Sequence, residues 1–124
     1  MEKEFISYNQ ALSLKELGFD EPCFALYNRS DKPVIAGNTP VYNSKTEDDL
    51  IICTPLYQQA FRWFREKHGL ISYVHPLALL QDTKKWCYEI TNFESSWDED
   101  SDLHTPEEAE LACLLELIEQ VKNK

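Results

Sequence analysis

Helix boundaries are the sequence feature that most constrains the fold of this chain. A threonine followed by a proline occurs at Thr54-Pro55 and again at Thr105-Pro106. Threonine is a favourable N-cap, and proline fits the first helical position because its missing N–H would have no partner there. We therefore predict helices over 55–68 and 106–121, the first of them ending before Gly69.

A third helix is predicted near the N-terminus. Ser7 and Gln10 have the spacing of a capping box, and Gly18 stands where such a helix would end, so the helix should cover 8–17. In the last of the three helices, six apolar residues recur with helical spacing and should share one buried face. They are Leu111, Leu114, Leu115, Leu117, Ile118 and Val121.

Short apolar runs between the helices predict five β-strands. The runs are Cys23–Tyr27, Val34–Ala36, Leu50–Cys53, Leu70–Val74 and Trp86–Thr91. The first two flank a polar turn and are typical of a hairpin, whereas 38–49 and 92–104 are polar and predicted to be loops. The order α-β-β-β-α-β-β-α predicts a single α+β domain over 1–124, a mostly antiparallel sheet with three helices packed on it. Its core should contain Trp63, Phe64, Trp86, Leu114 and Ile118.

The four cysteines are spread widely along the chain, each beside an apolar residue. They are Cys23, Cys53, Cys87 and Cys113. No two of them have the close spacing of a zinc finger or ribbon, and the three histidines form no paired motif with each other. We therefore expect reduced, buried thiols in a cytoplasmic protein that has no zinc site.

Negative charge is concentrated in the last third of the chain. The formal net charge is −10, and residues 86–124 carry 11 acidic residues against 2 lysines, a net −9. Such a balance argues against binding to nucleic acid or to an anionic membrane, because both are themselves negative. No apolar run approaches the length of a membrane span or of a signal-peptide core, so we expect neither membrane contact nor export.

An acidic face for a basic protein partner is the strongest site prediction. Four of its carboxylates precede the last helix, in the predicted loop 92–104, and three lie on that helix at angles away from the main apolar arc. The candidate partner-binding residues are Asp98, Glu99, Asp100, Asp102, Glu108, Glu116 and Glu119. For the loop taken by itself, the favoured interpretation is plain solvation before a helix N-terminus, where acids are favoured, and a weak cation site is a further alternative.

The cation alternative rests on the spacing of Asp98, Asp100 and Asp102, which matches the first three ligand positions of an EF-hand loop. The rest of that pattern is missing. Leu103 occupies the position that needs glycine, and Ala109 occupies the position of the bidentate glutamate. The three aspartates are therefore a weak cation candidate only, and no metal or other cofactor is expected.

Three further stretches of the chain stand out: Ala11–Cys23, Gln59–Gly69, and Glu107–Leu114 with the following Leu117-Ile118-Glu119. Together they resemble a family of small uncharacterised proteins encoded by phages and prophages of Bacteroides-type bacteria. The resemblance implies a phage or prophage origin and a site of action in the cytoplasm of the bacterial host. It assigns no activity, ligand or site residue.

We interpret the chain as a small acidic phage or prophage accessory protein that acts as a non-catalytic protein-interaction module. Two other interpretations stay open. The first is an acidic, DNA-mimic-like inhibitor of a host nucleic-acid-binding enzyme, supported by the charge of 86–124. The second is a small enzyme or metal-dependent module, although no catalytic residues stand out. The partner itself and the oligomeric state are left open.

Overall fold

A computed structural model describes residues 4–37, 39–46, 50–76, 85–92, 96–103 and 105–123, and for 96–102 it describes the backbone. The fold is α+β, as predicted, with three helices and antiparallel strand pairing. In chain order the elements are α1 (Tyr8–Glu16), β1 (Ala25–Asn28), β2 (Val34–Ile35), β3 (Ile51–Thr54), α2 (Tyr57–His68), β4 (Ile71–Pro76), β5 (Trp86–Thr91), β6 (Ser96–Leu103) and α3 (Pro106–Lys122). None of these helices is both long and apolar enough to cross a membrane.

The strands form two sheets instead of the one sheet expected. The first sheet has the order β2-β1-β3 and the second has the order β4-β5-β6, with every neighbouring pair antiparallel. The chain correspondingly forms two compact units, Met1–Ala60 and Phe61–Lys124, each with one sheet. The prediction of a single domain over 1–124 stays a prediction.

Strand β6 replaces part of the acidic loop that was predicted over 92–104. Its register against β5 sets Ser96 opposite Thr91 and Glu99 opposite Tyr88, with an irregularity before Leu103 meets Trp86. Aspartate is a poor strand former, so the sequence of β6 gives little sign of a strand. Backbone pairing with β5 outweighs that local preference, and an edge position tolerates charge because one side of the strand is unpaired within its sheet.

The first unit shows why α2 begins later than Thr54-Pro55 predicts. Thr54 lies in β3, and its hydroxyl donates a hydrogen bond of 2.6 Å to the carbonyl oxygen of Ile6 instead of capping a helix. The carbonyl of Pro55 accepts a hydrogen bond from the Ile6 amide at 3.0 Å, and Leu56 forms a β-bridge with Phe5. These contacts hold the chain extended, so helical geometry starts only at Tyr57.

A buried asparagine fixes the polar segment between β2 and β3. Asn43 is 8% exposed and begins a short 3-10 turn, Asn43–Lys45. Its side-chain Nδ2 donates to the Phe19 carbonyl at 2.9 Å, and its Oδ1 accepts from the Cys53 amide at 3.0 Å. Because both polar atoms are satisfied, the side chain can be buried at little cost, and it joins the end of α1 to β3.

In the second unit, α3 packs on β4 and β5 and touches β6. Four of the five predicted core residues are buried: Trp63, Phe64, Leu114 and Ile118. Trp86 is half-buried, which corrects the prediction. It occupies the first position of β5, at the end of the sheet, where neighbouring strands cover less of a large side chain.

Trp63→Ala should lower the free energy of unfolding by about 3–5 kcal/mol, the range for removing a large buried aromatic side chain. Trp63 is 4% exposed, and its ring contacts those of Phe64 and His68, with centroids 5.0 and 4.9 Å away. Arg62→Ala on the exposed side of the same helix is the control and should cost little. A denaturant midpoint that is equal in the two variants would contradict this packing.

If the chain is a single domain, its two units should unfold together. All three tryptophans, Trp63, Trp86 and Trp97, belong to the second unit, whereas α1 and α3 lie in different units. Tryptophan fluorescence therefore reports on the second unit, and far-ultraviolet circular dichroism reports on both. We expect coincident urea transitions from the two probes. Separated midpoints would show two independent domains.

Candidate functional site

The acidic helix α3 begins where its sequence predicts. The Thr105 hydroxyl accepts a hydrogen bond from the Glu108 amide at 3.1 Å, and Pro106 occupies the first helical position. Glu107 and Glu108 lie in the first turn, where the exposed amide groups of a helix favour negative charge. The N-terminus of α3 is thus stabilised by one side-chain cap and by two carboxylates that interact favourably with the helix dipole.

Helix α3 presents two distinct faces. One face covers the second sheet, and its buried residues are all apolar: Ala109, Cys113, Leu114, Leu117 and Ile118. The opposite face, called here the outer face of α3, consists of Glu108, Leu111, Leu115 and Glu119, all four of which are exposed, and the exposed Lys122 follows at its C-terminal end. The helix is therefore not simply apolar inside and charged outside.

The exposure of Leu111 and Leu115 corrects the prediction that all the α3 leucines share one buried face. Their exposed fractions are 37% and 42%, whereas Leu114 and Leu117 are at 0%. At about 100° per residue, the predicted apolar arc spans roughly 160° of the helix. The sheet covers only one side of that arc, and Leu111 and Leu115 lie at its uncovered margin.

The predicted partner-binding carboxylates are divided between α3 and β6. Glu108 and Glu119 stand on the same outer face, but Glu116 is half-buried on another side and accepts a hydrogen bond of 3.3 Å from the Gln120 amide. The other four predicted residues, Asp98, Glu99, Asp100 and Asp102, lie on β6. The structure describes only their backbone, so their joining a common acidic surface stays a prediction.

The weak cation candidate formed by Asp98, Asp100 and Asp102 depends on side chains outside the described part of the structure. It too stays a prediction. Among the side chains that the structure does describe, no group of three or more histidine, cysteine or acidic residues is placed to hold a metal ion.

A cluster of His75, Cys87 and Glu89 on β4 and β5 was not predicted. Nε2 of His75 is 3.5 Å from a carboxylate oxygen of Glu89, and Sγ of Cys87 lies 3.5 Å from Nδ1 and 3.4 Å from Nε2 of the imidazole. A sulfur in the ring plane at those distances would clash with Cε1, which lies between the nitrogens, so the sulfur lies over the ring face. That position is unsuited to proton transfer, which needs a nitrogen aimed at the thiol.

Only the strand register brings this cluster together. His75 pairs with Cys87 across the β4–β5 ladder, and Tyr73 pairs with Glu89. His75 and Cys87 are 12 positions apart, a separation that matches no sequence motif. The cluster could therefore be predicted from the sequence only if the strand register were already known. The cluster therefore contains a shielded thiol and a histidine–carboxylate pair.

The four cysteines are free and buried, which confirms the prediction of buried thiols. Burial raises the pKa of Cys23 and of Cys113 to about 12, and that of Cys53 to about 11. Smaller electrostatic effects act in both directions: Lys15 lowers the pKa of Cys53, whereas Asp20 raises the pKa of both Cys23 and Cys53. These three thiols are protonated at neutral pH and are therefore poor nucleophiles.

An open cavity of about 430 Å³ lies within the first unit. It is lined by Tyr8, Leu50 and three residues of the turn after β1, Arg29, Ser30 and Asp31. Arg29 has a φ of +58°, a left-handed conformation that is uncommon outside glycine. The lining combines an apolar wall with one guanidinium and one carboxylate, and no residue of it was predicted as a site.

No protein-family model, curated protein or solved structure matches this chain.

The buried thiols should make the protein less stable at alkaline pH. Because their pKa values are raised on folding, the unfolded chain loses these protons first, and the free energy of unfolding falls as the pH rises above about 9. Each thiol contributes at most about 1.4 kcal/mol per pH unit. Cys113→Ala should therefore flatten the decline in urea-determined stability between about pH 9 and 10.5.

Leu117→Val is the control for this measurement, because it also trims a buried side chain of α3 but removes no titrating group. It should lower stability by a similar amount at every pH and keep the slope of the parent protein. Equal slopes for the parent and Cys113→Ala would show that the Cys113 thiol titrates normally in the folded state.

Proposed function

We propose that this protein is a non-catalytic interaction module whose acidic C-terminal part binds a basic protein partner. The observation that carries the proposal is the outer face of α3, where two exposed leucines are flanked by exposed carboxylates. At such a face the apolar pair would supply affinity and the surrounding charges would select the partner.

The charge distribution supports a basic partner. Residues 86–124, which form β5, β6 and α3, hold half of the acidic residues of the chain but only 2 of its 12 basic residues. A net −9 over this segment attracts positive surfaces over distances longer than a direct contact. At physiological ionic strength that attraction is screened over about 8 Å, so partner capture should depend strongly on salt.

The thiol environments favour a binding role over nucleophilic catalysis. Burial keeps Cys23, Cys53 and Cys113 protonated, and the thiol of Cys87 lies over the face of the His75 imidazole. A cysteine nucleophile needs the opposite arrangement, a lowered pKa or a base in line with the sulfur. The outer face of α3 requires no such chemistry to act.

The resemblance of three stretches to phage and prophage proteins supports an origin in a mobile element and a site of action in the host cytoplasm. We therefore place the partner among host or phage proteins of Bacteroides-type bacteria. An inhibitor that imitates DNA would need an uninterrupted array of carboxylates. On α3 the carboxylates of Glu108 and Glu119 are separated by leucines, which favours a protein interface with apolar anchors.

Affinity capture with a charge-reversed variant tests this function. The tagged parent and the Glu108→Lys/Glu119→Lys variant would each be incubated with lysate of a Bacteroides-type host, and retained proteins identified by mass spectrometry. We expect the parent to retain one or more basic proteins that the variant releases. Raising the salt to about 1 M, where the screening length is near 3 Å, should release the same proteins from the parent.

Glu16→Lys/Asp31→Lys is the matched control, because it changes the charge by the same amount at two exposed positions of the first unit. It should retain the proteins that the parent retains. If the α3 variant and the parent retain the same proteins with the same salt dependence, the outer face of α3 is not the binding surface. Loss of binding in both variants would indicate a response to net charge alone, which also contradicts a localised site.

A further inference from the structure

We infer that the outer face of α3 binds an amphipathic helix of the partner, with leucines at its centre and lysines or arginines at its flanks. This inference rests on the proposed function and specifies the shape and chemistry of the partner segment. It depends on the spacing of the exposed leucines, on the positions of the flanking charges and on the rigidity of α3.

The two exposed leucines have the spacing that a second helix can match. Leu111 and Leu115 are one turn apart, about 6 Å along the helix axis. Residues four apart on any α-helix recur with the same rise, so apolar side chains at i and i+4 of a partner helix can interdigitate with this pair. An extended strand would present its side chains every 6–7 Å or so along a narrower ridge and would leave the flanks of the pair uncovered.

The flanking carboxylates set the charge of the partner. Glu108 precedes Leu111 by three residues, and Glu119 follows Leu115 by four, so the leucines lie between negative groups along a line of about 16 Å. Lys122 lies beyond Glu119, and Glu107 lies beside Glu108, so the N-terminal end of the face is the more negative. A partner helix with its strongest positive charge near Glu108 would therefore be favoured in one orientation.

Helix α3 offers this face without a folding cost. Its opposite side is buried against β4 and β5, and the Thr105 cap holds its first turn. The four residues of the outer face are consequently fixed relative to each other before a partner arrives. Preorganisation of this kind reduces the entropy lost on binding.

A second copy of this chain is a poor occupant of the face. A two-fold antiparallel pairing that sets Leu111 of one copy opposite Leu115 of the other also sets Glu107 opposite Glu119. Both of these carboxylates are exposed, and the pairing repeats the repulsion on the other side of the axis. Like charges opposed across an interface disfavour association. The outer face of α3 therefore disfavours a second copy of itself and favours a basic helix.

Binding of synthetic peptides to the full chain tests the inference. The probe is a fluorescein-labelled helical peptide with leucines at i and i+4 and lysines at the flanking positions of the same face. One comparison peptide has glutamate at each lysine position, and the other has the same composition in a scrambled, non-amphipathic order. Fluorescence anisotropy should show saturable binding of the lysine peptide and at least about tenfold weaker binding of both comparison peptides.

The decisive variant is Leu111→Gln/Leu115→Gln, because glutamine is a good helix former and the two positions are exposed. It should weaken binding of the lysine peptide about tenfold or more. Leu111→Ala/Leu115→Ala is a second variant that keeps helix propensity high, and circular dichroism would check the folding of both. The matched control is Val34→Thr/Ile35→Thr, which removes two apolar side chains, 53% and 56% exposed, from β2; it should bind like the parent.

Three results would overturn the inference: no binding of the lysine peptide to the parent, equal binding to the parent and to either folded leucine variant, or equal binding of the glutamate peptide. A parent that sediments as a dimer, and that the leucine variants convert to monomer, would also overturn it in favour of self-association. The proposed function fails separately. If the charge-reversed variant loses its captured proteins while the leucine variants retain theirs, binding is through charge and only the helix inference is wrong.

Discussion

Packing of α3 on β4 and β5 is the interaction on which the second unit depends. A three-stranded sheet has two faces, and an apolar face is stable only when another element removes it from water. The buried residues of α3, from Ala109 to Ile118, supply that cover. Because a helix can press only one side against a flat sheet, the same packing turns Leu111 and Leu115 outward, together with Glu108 and Glu119. The candidate binding face is thus a direct consequence of the core.

The acidic residues of the C-terminal part suit this arrangement in two further ways. Glu107 and Glu108 stand in the first turn of α3, where the helix dipole favours them. The acidic residues of β6 lie on the edge strand of the second sheet, where charged residues oppose the addition of another strand. The edge strand β2 of the first sheet carries the exposed apolar residues Val34 and Ile35 instead, so these edge strands of the two sheets differ in polarity. Charge in the second unit therefore limits unwanted association while leaving the leucine pair accessible.

Buried polar contacts hold the segments of the first unit together, and no local sequence pattern predicts these contacts. The Ile6 carbonyl accepts hydrogen bonds from the Tyr27 hydroxyl at 2.7 Å and from the Thr54 hydroxyl at 2.6 Å. Asn43 bridges the Phe19 carbonyl and the Cys53 amide. Each contact joins residues between 10 and 48 positions apart, beyond the reach of any local pattern. Thr54 illustrates the point, because its pattern matches a helix cap while its hydroxyl serves a distant carbonyl.

Features that depend on neighbouring residues were predictable from the sequence. The cap at Thr105-Pro106, the glycine stops at Gly18 and Gly69 with positive φ angles, and the strand Trp86–Thr91 were all predictable, because caps, turns and apolar runs act over a few residues. Tertiary structure decided the rest. It divided the strands between two sheets, recruited the acidic segment into β6, placed His75 over Cys87, and chose which α3 leucines are buried. Those outcomes depend on contacts between residues that are far apart in the sequence. The apolar arc of α3 is wide enough to be covered in more than one way, and packing on the second sheet buries only one side of it.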